Sequence, residues 1–284
     1  MTRPVSIVVP MFNAASELDA CLASLQRHLP AGVEVLVADD ASGDRRAVAI
    51  AQRFCEQRPD ARYLRRRDNL GFVGNVNLAF AETGGHDLVL LNSDTVVTPG
   101  WLERLRACAA SDALIASATP WSNNAEICSF PRFCEDNPEP LDAEAIAAAA
   151  ASLRPEYPEL PTAVGFCMYL ARTALEAVGD FDAATFGRGY GEENDWCLRA
   201  RAHGFRNVLC DDAYVVHRGG ASFAPTGHAP GGENLRRLVA RYPEYNAAVA
   251  AFIINDPLRP LRERLAAAIA EQRRSGPQPD LFDR

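Results

Sequence analysis

The sequence predicts an α/β fold built on a mostly parallel sheet flanked by helices, and three observations carry that expectation. Short apolar runs recur at residues 5–9, 33–38 and 88–91, too short for helices and apolar enough to be strands covered on both faces. Between them lie segments whose apolar residues repeat at helical spacing, the alternation that implies parallel strands joined by right-handed crossovers. The runs also end alike, at Asn13, at Asp39-Asp40 and at Asn92-Ser93-Asp94. Polar side chains from several strands are thereby delivered to one edge of the sheet, where open α/β sheets bind ligands.

Taken in order, Val5-Ser6-Ile7-Val8-Val9 is a buried first strand ended by Pro10. Ser16 reads as the cap of a first helix, with Leu18, Cys21, Leu22, Leu25 and Leu29 on one face. Residues 33–38 form the second strand, and Ser42-Gly43-Asp44 turns the chain into a helix with Val48, Ala51, Phe54 and Cys55 inward. Tyr63-Leu64 is a third strand, and a third helix opens around residues 69–75 and runs to about Ala81. After the strand at 88–91, Trp101, Leu102, Leu105 and Cys108 mark a helix and residues 114–118 a strand. Regularity lapses over residues 121–161, read as an insertion beside the pocket, with the alanine run at 147–151 as a surface helix. A strand at 164–170 and a helix at 173–178 follow. A glycine-rich loop at 186–191 then leads into a helix with Glu192, Glu193 and Asp195 in its first turn. Two short strands, 208–210 and 213–216, end at His217; helices over 233–242 and 258–274 precede a loose tail from Ser275. The expected division is a domain over residues 1–225, containing the 121–161 insertion, and a C-terminal helical extension over 226–284.

A net charge of −8 and a pI near 5.2 exclude a nucleic-acid surface, which should be basic. Nucleotide phosphates are not excluded, because a metal ion and a few local donors suffice to hold them. No apolar run reaches the roughly 18 residues that a membrane span needs. Met1 to Pro4 leads straight into the first strand, and the eight cysteines are scattered with no Cys-x-x-Cys pair. Both features predict a cytoplasmic protein with reduced thiols.

Asp94, at the end of the most apolar strand, is a hard oxygen ligand suited to magnesium or manganese, above all when phosphates supply further oxygens. The competing reading is that Asn92-Ser93-Asp94 only caps the turn before Pro99.

The ordered series of marks decides between them. Val8-Val9-Pro10-x-Phe12-Asn13, Asp39-Asp40-Ala41-Ser42, Asn69-x-Gly71-x-x-x-Asn75 and Asn92-Ser93-Asp94 come first. Gly165-Phe166 with Arg172, Phe181-Asp182, Tyr190-Gly191-Glu192-Glu193-x-Asp195 and His217 follow. Over residues 4 to 223 the chain resembles the family 2 glycosyltransferases of the Rossmann-like GT-A fold, in particular the bacterial rhamnosyltransferase-like branch. The resemblance implies that Pro10, Phe12 and Asn13 pack the nucleotide's base and ribose. Asp40, beside Asp39, accepts from the imide N–H of uracil or thymine, and Asn69, Gly71, Asn75, Asn92 and Ser93 line the nucleotide. Asp94 corresponds to the last acid of the family's Asp-x-Asp and would bind Mn2+ or Mg2+; His217 supplies a further ligand. Asn92 in place of the first acid leaves the site one negative charge short of that pattern.

By the same resemblance the second acid of the Glu192-Glu193-x-Asp195 run is the general base, with Asp195 as the alternative base or an orienting partner. Glu193 stands where the family carries Asp. Gly165, Phe166, Gly191, Glu192 and Trp196 would line the donor and acceptor pocket, and the loop at 187–191 would close over the donor. The function implied is inverting, metal-dependent transfer from a UDP- or dTDP-sugar to a glycan or lipid-linked acceptor, in cell-surface polysaccharide assembly. It places the protein in the cytoplasm, with peripheral contact at the inner face of the membrane. Two rival readings remain: a sugar nucleotidyltransferase, which usually carries a basic glycine-rich loop that residues 11–17 lack, and a nucleotide-sugar binding module without catalysis.

Overall fold

The computed structural model describes residues 3–187, 189–219 and 232–275. Arg188 of the glycine-rich loop, residues 220–223 at the end of the family resemblance, and the tail beyond Ser275 lie outside the described residues.

β1 (Val5–Met11), β2 (Glu34–Asp39) and β3 (Ala61–Arg65) are parallel and are joined by α1 (Ala15–His28) and α2 (Arg45–Gln57). After α3 (Gly71–Ala81) the chain crosses back so that β4 (Asp87–Leu91) pairs with the other side of β1. The rest comprises β5 (Thr95–Val97), α4 (Trp101–Ser111), β6 (Ile115–Trp121), α5 (Ala143–Ser152), β7 (Glu159–Leu160) and β8 (Cys167–Leu170). These are followed by α6 (Arg172–Val178), α7 (Ala183–Phe186), α8 (Glu192–Ala202), β9 (Arg206–His217), α9 (Glu233–Arg241), α10 (Tyr245–Asn255) and α11 (Arg259–Ser275). The sheet runs β3-β2-β1-β4-β8-β6-β9-β5, with β7 on β9.

Two departures from a parallel sheet build the cleft. β8 runs antiparallel to β4, Leu91 opposite Cys167, so the chain enters β8 at the edge where β4 ends. Gly165 and Phe166 are thereby brought beside Asn92, whose N–H donates to the Phe166 carbonyl at 2.8 Å. β5, a three-residue strand absent from the sequence reading, runs antiparallel to β9 with Thr95 opposite His217.

Other expectations change for identifiable reasons. Ser16 does not cap α1: the helix starts at Ala15 behind Ala14, which is left-handed at φ 54°. α2 is capped by Asp44, which accepts from the Arg46 and Ala47 N–H groups. The two short strands expected after residue 206 are one twelve-residue strand. Asp211 and Asp212 interrupt its apolar pattern where its register on β6 shifts, and Asp211 is satisfied there by the backbone N–H groups of Glu156 and Tyr157. The alanine-rich α5 is no surface helix: Ile146, Ala147, Ala149 and Ala150 are buried.

One core lies between the sheet and α1, α2, α4, α5 and α11; the other lies under α3, α6 and α8 and reaches Leu238 of α9. The C-terminal helices therefore belong to the same packing as the sheet. All eight cysteines are free, and no helix among the described residues is long and apolar enough to cross a membrane.

Candidate active site

At the tips of β1 and β2 the expected nucleotide side is an interlocked pair of loops. Asn13, at φ 58°, accepts from the Gly43 and Asp44 N–H groups at 2.9 Å each, and its own N–H donates to the Ser42 hydroxyl. Pro10 is buried in β1, while Phe12 is half-buried beyond it. Asp39 is fully buried and accepts from Ser42 N–H, the Tyr63 hydroxyl and Arg65. That carboxylate is consumed by the scaffold. Asn75 is consumed likewise, donating to the Ala38 carbonyl and accepting from Arg66 Nε, both at 2.8 Å.

Asp40 sits otherwise. It accepts from the N–H groups of Leu70, at 2.7 Å, and Gly71, and Asn69 donates to its carbonyl. Burial raises its pKa against those two hydrogen bonds. Gly71, at φ +75°, permits that turn into α3. The amide groups at the start of α3 thus address a carboxylate of the chain rather than an external phosphate. Arg65 and Arg66, which hold Asp39 and Asn75, were missing from the candidates; the run Arg65-Arg66-Arg67 after β3 was their signal.

Asp94 and His217 meet because β5 and β9 pair: Nε2 of His217 lies 3.5 Å from Asp94 Oδ1, and the Arg218 N–H donates to the Asp94 carbonyl. The imidazole stacks on Phe166, 5.1 Å between centroids at 23°, and its Nδ1 contacts the Asn124 carbonyl. Burial pushes the His217 pKa down, but Asp94 and that carbonyl outweigh it, and the net shift is upward. Two residues before Asp94 in the same turn, Asn92 Oδ1 is buried with no hydrogen-bond partner. Ser93 is buried in the same turn. A carboxylate, an imidazole nitrogen and an orphaned amide oxygen are a donor set that fits a divalent cation of the Mn2+ or Mg2+ kind. Among the described residues no three His, Cys, Asp or Glu side chains converge.

The acidic pair lies on the far side of residues 165 and 166. A β-carbon on Gly165 would stand 3.6 Å from Glu193 Cγ, so Gly165 borders Glu193 while Phe166 borders His217. Gly191, at φ +104°, turns the chain into α8, and its N–H donates to Glu193 at 3.3 Å. Glu192 is 5% exposed, and burial together with the Glu193 charge raises its pKa well above the usual range. Its Oε2 is buried with no hydrogen-bond partner, and the pKa of the neighbouring Glu193 is raised chiefly by burial. The Tyr190 hydroxyl is raised by burial and then by Glu192, Glu193 and Asp94, all near enough to act on it.

Asp195 and Trp196 do not reach this cleft. Asp195 is fully buried and bound by Arg199, Arg241 and the Tyr242 hydroxyl at 2.8, 2.6 and 3.0 Å. It is two positions past Glu193, about 200° around α8, and so faces away from that carboxylate toward α9. Trp196 belongs to the core, its indole N–H donating to the Gly179 carbonyl.

From Glu193 a cavity of about 630 Å³ opens between the glycine-rich loop and α9 and α10, with Glu126, Tyr190, Asn234 and Tyr245 in its wall. Glu126 comes from the 121–161 segment and Tyr245 from the C-terminal helices, so no local pattern joins them.

A protein of Mycobacterium bovis, Mb1552, described as uncharacterized, is 30% identical over 218 residues, 75% of this chain and 73% of its own. The crystal structure of GalNAc-T7 with UDP, GalNAc and Mn2+ superposes with a TM-score of 0.61 at 14% identity, over 87% of this chain. The match spans about half, 51%, of that longer chain. The mannosyltransferase PcManGT from Pyrobaculum calidifontis, solved with GDP-Man and Mn2+, gives a TM-score of 0.58 at 17% identity, over 98% of this chain and 77% of its own. Such low identities establish the fold. The sequence pattern of glycosyl transferase family 2 matches residues 6–179, more than half of the chain, and the chain therefore belongs to that family and is a glycosyltransferase.

Proposed function

We propose that the protein moves a sugar, with inversion, from a UDP- or dTDP-linked donor to an acceptor hydroxyl in the assembly of a cell-surface polysaccharide. One observation carries the reading: Gly165 lies against Glu193 while the adjacent Phe166 stacks on His217, which meets Asp94, so two consecutive residues bridge the two groups. Asp94 and His217, with Asn92 beside them, would hold Mn2+ or Mg2+, which when bound supplies charge neutralisation at the donor's diphosphate. Asp40 accepts from the base's imide N–H while Pro10, Phe12 and Asn13 bound the nucleoside. Glu193 takes the proton of the acceptor hydroxyl, with the Gly191 N–H donating to its carboxylate. A single base on the side away from the leaving group gives inversion. Asp195 acts as an anchor of α8 rather than as the base, since both its oxygens are taken by cations.

The test is donor turnover by the purified chain against UDP- and dTDP-sugars with Mn2+, with and without EDTA. The reading expects slow, metal-dependent hydrolysis of at least one donor and inverted product with an added glycan. Nucleotide-sugar binding with no turnover of any donor would instead favour the binding-module alternative.

A further inference from the structure

Glu126 is exposed in a stretch that buries nearly everything else. From residue 121 to residue 130 every other side chain is buried except that of Asn124, which is half-buried. The Glu126 backbone lies in the left-handed region at φ 46°, which a residue with a β-carbon adopts only when its surroundings impose it. Here the Glu126 carbonyl accepts from the Ser129 and Cys134 N–H groups at 3.0 and 3.2 Å, and the Ala125 N–H donates to the Ser129 hydroxyl at 2.9 Å. The turn thereby fixes one carboxylate in the wall of the cavity that opens from Glu193. No hydrogen bond or ion pair with a described residue engages that carboxylate, and burial, then the charge of Asp136, raises its pKa. After burial, its own charge helps to raise Glu193 and the Tyr245 hydroxyl, which share the wall with it. Among the described wall residues the one cation is Arg237, and its guanidinium is spent on Glu233 and the Thr185 carbonyl.

We propose that Glu126 selects the acceptor: its carboxylate accepts hydrogen bonds from the hydroxyl groups of an uncharged sugar held in this cavity, and its negative charge turns away a sugar that carries a carboxylate or phosphate there. This rests on the glycosyl-transfer reading and adds to it the charge class of the acceptor. An ionised carboxylate offers only acceptor oxygens, so it matches hydroxyl donors and repels a second anion. Glu193 on the same wall adds to that repulsion, and specificity by rejection of this kind needs no extra contact with the favoured sugar. Holding the carboxylate in place before the sugar arrives lowers the ordering cost of binding. A cationic amino sugar fits less well, because a positive charge beside Glu193 would pull down the raised pKa that suits a general base.

The experiment is a saturation-transfer NMR titration of the full chain, with UDP and Mg2+ present, against methyl glucoside, galactoside, mannoside and rhamnoside. Each hexoside is compared with its uronate and its 2-amino counterpart where these exist. At least one neutral glycoside should bind, with its uronate weaker by about tenfold or more. Glu126→Gln should narrow that ratio to about threefold or less, and Glu126→Ala should weaken the neutral glycoside about tenfold. The Gln variant should melt within about 2 °C of the wild type, because the carboxylate holds no part of the frame. Binding of no glycoside, a uronate bound as well as its neutral partner, a ratio that the Gln variant leaves unchanged, or an amino sugar bound more tightly than the neutral one each overturns the proposal. Donor hydrolysis, which needs no acceptor, separates the two readings. Hydrolysis without a charge preference sinks the role of Glu126 alone, and a charge preference without hydrolysis tells against transfer alone.

Discussion

Glu193 and Glu192 are neighbours in sequence, and their surroundings differ. Burial raises both, and the charge of Glu193 raises Glu192 further, which favours Glu193 as the proposed base. Glu193→Gln should lower kcat by about 10²- to 10⁴-fold while nucleotide binding, read by calorimetry, stays within about twofold. Since the Glu193 pKa is raised, kcat/KM for the wild type should fall with acid at a pH above the usual glutamate range. Asp94→Ala should weaken Mn2+-supported nucleotide binding at least tenfold; unchanged calorimetric binding would remove Asp94 from the cation site. Glu192 also makes a prediction about stability. Its folded pKa is raised, so the stability linked to its proton is complete below the unfolded glutamate pKa and is lost as pH rises through the folded value. Glu192→Gln removes that titration, and denaturant melts at pH 5 and pH 8 should show a smaller loss between the two than the wild type shows.

At the scale of elements, the helix carrying these acids is held in place by its neighbours. Arg241 on α9 binds both Asp195 and Asp182, tying α9 to α8 and to the cap of α7, and it also lies over the Phe186 ring. Arg241→Ala leaves the buried Asp195 with Arg199 and Tyr242 only. The expected cost is on the order of 2 kcal/mol, below the full penalty for a broken buried pair because Arg241 itself is partly exposed. Urea denaturation measures it, and an unchanged midpoint would mean that Arg199 alone suffices. Elements differed in how legible they were. β1, β2 and β4 announce themselves as apolar runs, and α2 carries its own cap in Asp44. β5 is three residues long and has no period to read; only its partner β9 makes it a strand. β9 looked like two strands because Asp211 and Asp212 are buried polar residues satisfied by a distant segment.

For the molecule as a whole, the expected boundary between a catalytic domain and a helical extension makes a direct test. Leu258, Leu261, Leu265 and Ile269 are buried in the main core against the α5 side of the sheet. At about 1.5 to 3 kcal/mol for each buried side chain, their loss is comparable with the entire stability of a domain. A chain ending at residue 242 should therefore lose cooperative thermal unfolding, followed by circular dichroism. A sharp transition near the wild-type temperature would show the extension to be a separate unit.

The sequence by itself determined the alternation of strands and helices, the edge at which the polar residues collect, and the ordered marks of the family, because apolar periodicity and turn chemistry are local properties. Among the marks it could not separate those facing the cleft from those holding the frame. Asp39, Asn75, Asp195 and Trp196 read like site residues, and their partners are Arg65, Arg66, Arg241 and Gly179, at distances along the chain that no pattern encodes. Only the tertiary structure decided that His217 lies beside Asp94, and that Gly165 and Phe166 join them to Glu193. Those neighbours arise from the antiparallel pairing of β5 with β9 and of β8 with β4, and strand pairing depends on contacts made across the folded chain.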